Sequence, residues 1–570
     1  MDRRLLFAIG LMLLVAILPS VLWPPERPVV APADSATAVP ESATGPVPVE
    51  QRAPAMPPAL VPVTPQEQPV RQPGTQPPPD STPERRVLVE SELYRLEFST
   101  RGARLVGTTL RPYRAISPSD SGPAQLLPPD TRFLAYAFVA AGDTLHLADW
   151  PFTPDRERVT VGAGGAELRW VGQWNGREAR LTYRFRPETY RFEVEGEIAG
   201  RPEGFVTIGL GPRLRSIDGD TVADIRSYGI VTKARRTERV DFRSIDPGEV
   251  REFAGPFEWV AIKSKYFVAA VLALEADGPR LGGARATGGP KPGKYETHVD
   301  VTATLPAADG RFRHSVYVGP QEYRRLKELG HDLEDVNPYG WIFRPIIRPF
   351  ANFIVLILLW MHETLSLGYG WVLILFGLLV RGLLWPLNQK AMRSSTAMQV
   401  VQPEVKAIQD RYQGRKDPKD AQRMQQEIMA VYKEHGVNPL GGCLPMLLPM
   451  PVLFALFFVF ANTIEFRGVP FLWLPDLSRP DPIYVIPLLM GASMFALTWI
   501  GQRGLPANPQ AKMMMYVMPP MFTFLFLNFS SGLNLYYAVS NIASLPQQWL
   551  ISKERRKKLG DRKPPKPPKG

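Results

Sequence analysis

Between Trp341 and Ile551 the chain carries a succession of apolar runs of bilayer-crossing length, rich in Leu, Met, Phe and Trp. In lipid a run of about 20 apolar residues must be helical, because a helix satisfies all its own backbone hydrogen bonds. This half of the chain is therefore read as a multi-pass α-helical membrane unit. Residues 1–340 hold a single run of that kind, Leu5 to Trp23, so the two halves obey different rules.

Arg3 and Arg4 precede the N-terminal run, and no small-x-small site succeeds it, since Val21, Leu22 and Trp23 lead straight into Pro24 and Pro25. An uncleaved signal anchor over 1–23 is expected, which places the residues after it outside the cytoplasm. Much of the excess among the chain's 60 prolines falls in 24–84, a Pro-rich stretch without apolar period, expected as a disordered tether. From Val87 to Val318 the pattern changes to short alternating runs, such as Leu181, Tyr183 and Phe185, bounded by Gly, Pro, Asp or Asn. That punctuation predicts an all-β sandwich over 85–319, with Trp259 to Leu274 as its most buried strand pair. A helical linker is expected from Gln321 to about Asp335. With Cys443 the chain's single cysteine, no internal disulfide is possible and packing must hold the exported part together.

Charge sets the topology. The segment from Lys390 to Gly436 carries nine Lys or Arg against six Asp or Glu, and the tail 552–570 carries Lys553, Arg555, Arg556, Lys557, Lys558, Arg562, Lys563, Lys566 and Lys569 against Glu554 and Asp561. Both belong inside. One crossing, Gly370 to Leu387, then precedes the basic segment. Residues 341–361, within a linker over 320–369, form an interfacial amphipathic helix with Arg344 and Arg348 at the headgroups. The remaining crossings are Leu440 to Thr463, Ile483 to Gly501, Met513 to Phe529 and Leu533 to Ile551. With the anchor this makes six spans and cytoplasmic termini. Residues 390–436, broken at Gly414 to Pro418, predict an antiparallel helical hairpin inside a membrane core of 370–551.

Arg381 lies ten residues below Trp371, so at ~1.5 Å per residue it sits ~15 Å deep, near the midplane of a ~30 Å hydrocarbon layer. A central Arg costs ~2.5–3.5 kcal/mol on insertion scales, which the Leu, Ile, Phe and Val around it offset. Snorkelling to the cytoplasmic headgroups is disfavoured, because Cα–Cβ bonds in this span tilt toward its outer end. Glu363, Glu465 and Asp476, the candidate partners, lie at outer ends of spans. An unpaired midplane guanidinium implies a hydrated cavity that receives polar segments transiently. Met446, Met450 and Phe454 in one span, and Met518, Phe522 and Phe526 in another, supply adaptable apolar walls. Asn534, Asn541, Gln547 and Gln548 bring polar groups into the last span.

The run VRGLLWPLNQKAMRSSTAMQVVQPEVKAIQDRY, then VNPLGGCLPMLLPMPVLFALF, then FSSGLNLYYAVSNIASLPQQWLI closely resembles the YidC/Oxa/Alb insertases, and WVAIKSKYF and STRGARL extend the likeness to the periplasmic domain of the Gram-negative YidC type. The resemblance implies an inner-membrane insertase with a periplasmic β-supersandwich and a core of five spans around a hydrophilic groove. It makes Arg381 the groove arginine and matches Tyr536 and Tyr537 to the paired tyrosines that contact incoming segments. Gly377 stands where the family often has a Thr facing the same groove, so that hydroxyl is missing here.

Implied partners are nascent membrane-protein segments, the Sec translocon, the ribosome through the basic tail and cytoplasmic loops, and membrane lipids. The formal charge of +12 is concentrated beside the membrane, so DNA is not among them. No phosphate-binding Gly loop and no metal-ligand spacing is present, and the six histidines are scattered, so neither a cofactor nor an enzyme's chemistry is expected. A transporter would also use a midplane Arg, but paired broken helices and an inverted repeat are not found. A membrane-anchored periplasmic carbohydrate enzyme would need convergent carboxylates in a cleft.

Overall fold

The computed structural model describes residues 83–560 except 118–119, 130, 141, 202, 275–279, 295–297, 338–343, 415–416, 437–449 and 504–508. The expected anchor 1–23, nearly all of the tether 24–84, Met446 and the tail beyond Gly560 lie outside the described residues.

Residues 86–320 form three sheets rather than the single sandwich expected. The nine-stranded sheet is ordered Thr237–Asp241, Gly229–Lys233, Trp259–Lys263, Phe267–Leu272, Arg311–Pro320, Arg191–Ile198, Arg177–Phe185, Ala166–Trp174 and Phe152–Pro154. A six-stranded and a five-stranded sheet share one apolar core with it. Alternation explains the outer strands: in Arg177–Phe185 the side chains of Ala179, Leu181, Tyr183 and Phe185 are buried, whereas Arg180 and Arg184 face out. Arg184 reaches Glu167 at 2.9 Å and Glu195 at 2.8 Å across the neighbouring strands. Trp259–Lys263 and Phe267–Leu272 are buried at every position, as two central strands covered on both faces must be.

The described helices are α1 (Thr221–Arg226), α2 (Tyr323–Glu328), α3 (Arg344–Leu365), α4 (Tyr369–Tyr412), α5 (Pro418–Glu434), α6 (Met450–Asn462), α7 (Val485–Gln502), α8 (Pro509–Phe526) and α9 (Ser531–Gly560). Among the described residues, Tyr369–Gln389 of α4 and all of α7 are long and apolar enough to cross a bilayer unaided, while Val452–Asn462 and Met515–Phe526 are shorter apolar helices. In α3 the stripe Ile347, Ala351, Ile354, Val355 and Leu358 joins the helical core, while Phe353 and Trp360 point outward.

Three sequence expectations change. Arg348 is not a headgroup anchor, because it pairs with the nearly buried carboxylate of Asp335 at 2.9 Å. The hairpin does not begin at 390 as a separate element: α4 continues unbroken from span to hairpin, through Pro386 and Pro403, because the Ala, Met, Gln and Lys residues after 388 are strong helix formers. Its distal part packs on α5 through Val401, Val405, Ile408 and Ile428. The tail does not start at 552, because α9 runs on to Gly560 with Ser552 and Arg555 buried.

Candidate functional site

Helix α4 presents Gly377, Arg381, Trp385 and Asn388 on one stripe, at offsets of four, eight and eleven residues. Helix α9 presents Tyr536, Ser540, Ala543 and Gln547 at the same kind of spacing. The two stripes face each other. A side chain built at Gly377 would place its Cβ 3.2 Å from Val539 Cγ1, 3.5 Å from Ser540 Oγ and 3.6 Å from Tyr536 Cδ2. Gly377 is thus a close-approach contact between the helices. Phe376 packs against Tyr536 beside it, with ring centroids 5.8 Å apart.

Arg381 lies one turn further along this seam. Its guanidinium makes no hydrogen bond or ion pair with any described residue, and its Nε is sealed from solvent. Ser540 Oγ and Tyr537 Oη are likewise buried and without a normal hydrogen bond to a described group. Each such group costs about 1–3 kcal/mol when left unpaired, so an unpaired Arg381 Nε and Ser540 Oγ on one seam are expensive for a purely structural bundle. Further along, the seam closes: Gln547 Nε2 donates to Trp385 O at 2.9 Å, and Asn388 Nδ2 donates to Gln547 Oε1 at 2.9 Å.

The other proposed site residues lie on different faces of α9. Asn534 Nδ2 donates to Phe526 O at 3.0 Å, capping the end of α8. Asn541 Nδ2 donates to Ser493 Oγ of α7 at 3.3 Å. Tyr537 packs edge-on against Phe526, with centroids 5.5 Å apart. Of the apolar wall, Phe526 is buried in the helical core, Phe454 and Phe522 are half-buried against it, and Met518 is half-buried. Met450 opens α6 and only its backbone is described. The most exposed aromatic on α8 is instead Phe524, 77% accessible, which fits a lipid-facing position.

A second polar constellation joins the β-domain to the helices, and sequence reading missed it. Arg467, between α6 and α7, donates through Nε to Asp218, through Nη1 to Arg114 O at 2.9 Å and through Nη2 to Ile217 O at 3.2 Å, and its guanidinium carbon lies 5.2 Å from the Phe267 ring centre. Ile464 of the same loop belongs to the β-domain core, whereas Phe466, Phe471, Leu474 and Leu477 belong to the helical core. Burial pushes the Asp224 carboxyl up to about 7, with the nearby Asp218 charge adding to it. Burial likewise pushes Glu465 up to about 7. Among the described residues no group of three or more His, Cys, Asp or Glu is placed to hold a metal.

Family comparisons place both halves. Residues 86–353 match the model of the YidC periplasmic domain, and residues 360–558 match that of the 60Kd inner membrane protein. The membrane protein insertase YidC of Chloroherpeton thalassium is 32% identical over 504 residues, covering 82% of this chain and 83% of that protein. The insertase YidC of Oleidesulfovibrio alaskensis is 32% identical over 497 residues, covering 82% of this chain and 86% of that protein. A solved structure, an active YidC insertase crystal structure with the first transmembrane domain resolved, overlaps 81% of this chain and 92% of its own at 19% identity, with a TM-score of 0.33. With relatives above 30% identity along more than four-fifths of both chains, this chain belongs to the YidC family of membrane protein insertases.

Proposed function

We propose that this inner-membrane protein inserts apolar segments of newly made proteins into the bilayer by drawing their polar flanks toward Arg381, between α4 and α9. The observation that carries the reading is the guanidinium of Arg381, half-buried with its Nε sealed on the seam lined by Tyr536 and Ser540, and without an ion-pair partner among the described residues. A half-buried charge that folding does not pair favours an anionic or polar visitor. Once the flank is held, the apolar part partitions into lipid along the Phe454, Phe522 and Phe524 side, driven by apolar burial and the membrane potential. Gly377 contributes closeness of α4 and α9. Asn534, Tyr537 and Asn541 set α9 against α8 and α7.

Six crossings with cytoplasmic termini belong to the same proposal. Contacts between α4 and α9 advance together along both helices, from Gly377 with Tyr536 to Trp385 with Gln547. Those between α7 and α9 also advance together, from Ser493 with Asn541 to Gly501 with Gln548. Contacts of α8 with α7 run oppositely, Gly491 with Thr523 and Phe495 with Tyr516. Alternating passage of α4, α6, α7, α8 and α9 requires that pattern of sense. In this reading the hairpin of α4 and α5 receives the nascent segment, the terminal lysines and arginines attract the ribosome and anionic lipid, and the Sec translocon is a partner for larger clients. The domain organisation read from the sequence is kept, with the helical core extended to Gly560.

The test is insertion by the full-length protein in proteoliposomes. Arg381→Lys keeps the charge without the planar fork and should retain much of the activity, whereas Arg381→Ala should suppress insertion of segments with acidic translocated tails more than of purely apolar ones. Equal insertion of acidic tails by Arg381→Ala would sink the reading.

A further inference from the structure

The α4–α9 seam ends in a contact centred on the buried carboxamide of Gln547. Gln547 is only 1% accessible, and its carboxamide is used at both ends: Nε2 donates to the backbone oxygen of Trp385 and Oε1 accepts from Asn388 Nδ2, each at 2.9 Å. Trp385 and Asn388 are four and seven residues after Arg381, on the same face of the same helix. Pro386 lacks an N–H, so the ladder bond that this position would donate to the Gly382 carbonyl, one turn earlier, is missing. A helix weakened there can bend or turn about its axis. An outside group that grips Trp385 and Asn388, on either side of Pro386, does not replace that bond but limits the bending and turning it permits.

We propose that Gln547 is a positioning residue for Arg381: its carboxamide splints α4 across Pro386 and so fixes the rotation of the helix that aims the guanidinium into the seam. This rests on the reading of Arg381 as the group that attracts polar flanks. Because α4 turns 100° per residue, a modest rotation at Trp385 moves a side chain one turn above it away from Tyr536 and toward lipid. The two bonds are spaced along α4, not stacked on one residue, which is what resisting rotation and bending together requires. Asn388 is the smaller half of the splint, because its loss leaves the bond to Trp385 O in place.

A double-mutant cycle on full-length protein in proteoliposomes tests this, using two single-span substrates that differ only in whether the translocated tail is acidic. Gln547→Leu keeps the volume and removes both bonds. It should lower insertion of the acidic-tail substrate roughly three- to tenfold, about the weight of one net hydrogen bond, and leave the apolar-tail substrate unchanged. In an Arg381→Ala background the same substitution should have no further effect, because what it positions is gone. Asn388→Ala should give a smaller loss of the same selectivity and serves as the readout if Gln547→Leu does not accumulate. Equal loss for both substrates, or a full additional loss in the Arg381→Ala background, would make Gln547 an ordinary packing residue, and no loss from either variant would also overturn the proposal. Should Arg381→Ala alone spare acidic tails, the failure belongs to the reading of Arg381, and a selective effect of Gln547→Leu would then have to arise without it.

Discussion

Arg467 and Asp218 form an ion pair with only 4% and 3% of their side chains exposed, and this pair fastens the loop between α6 and α7 to the β-domain. The loop therefore belongs to two cores at once, through Ile464 on one side and Phe466, Phe471, Leu474 and Leu477 on the other. Removing one member of a sealed pair strands the other charge, which typically costs about 3–5 kcal/mol, whereas replacing both by apolar groups is often nearly neutral. Asp218→Asn or Arg467→Met alone should thus loosen the docked β-domain, read as faster limited proteolysis at the 464–483 loop. Asp218→Leu combined with Arg467→Met should recover much of the protection. Equal protection in both single variants would show that the apolar contacts alone hold the domains together.

The same junction should respond to pH. Asp224 is fully buried in α1, and burial, followed by the Asp218 charge, raises its carboxyl to about 7 although its Oδ1 accepts from the Lys265 backbone N–H at 3.0 Å. A carboxyl whose folded pKa lies above its unfolded value binds its proton more tightly in the folded state. Its contribution is therefore largest at low pH and is lost as pH rises from about 4 through 7. Glu465, also raised to about 7 by burial, acts in the same direction. The melting midpoint of the β-domain should fall between pH 5 and pH 8. Asp224→Asn, which keeps the acceptor oxygen, should flatten that slope, and an unaltered slope would assign it to other groups.

How much of this was legible in the sequence depends on the range of the signal. Strand alternation in Arg177–Phe185 and the apolar length of α7 are local patterns, so the β-domain and the α7 span can be read directly. Arg381 is legible because its cost in lipid is a property of one residue in one helix. The pairing of Arg467 with Asp218, 249 residues away, has no local signature, since either side chain alone is an ordinary surface residue. Arg348 with Asp335 misled for the same reason: an Arg in an amphipathic run resembles a headgroup anchor until its partner is known. The division of Asn534, Tyr537 and Asn541 from Arg381 follows from helical phase, which a list of polar residues in a span does not resolve.

Topology can be checked by labelling single cysteines after Cys443→Ala. Glu404, exposed on the distal part of α4, and Leu472, 68% exposed between α6 and α7, should lie on opposite sides of the membrane. A cysteine at Glu404 should react with an impermeant reagent only after the cytoplasmic side is opened, and one at Leu472 should react from outside. Reaction at Glu404 from outside would make α3 a crossing and reverse every later helix.

The end of α9 separates a structural arginine from the basic residues beyond it. Arg555 is 4% accessible and its Nη2 donates to Gly501 O at 2.5 Å and Arg503 O at 2.8 Å, placing a cation on the free carbonyls at the C-terminus of α7. Truncation after Ile551 removes that cap together with the tail, whereas truncation after Gly560 removes Arg562, Lys563, Lys566 and Lys569 and spares it. Both truncations should weaken co-sedimentation with ribosomes at low salt, since that attraction depends on the number of positive charges. Only the shorter chain should also lose stability, by about 1.5–3 kcal/mol for a charged donor withdrawn from its acceptors, and Arg555→Gln in the full chain should reproduce that loss with ribosome binding nearly intact. If truncation after Gly560 lowers the melting temperature as much as truncation after Ile551, the stabilising contact lies beyond Gly560 and the role given to Arg555 is wrong.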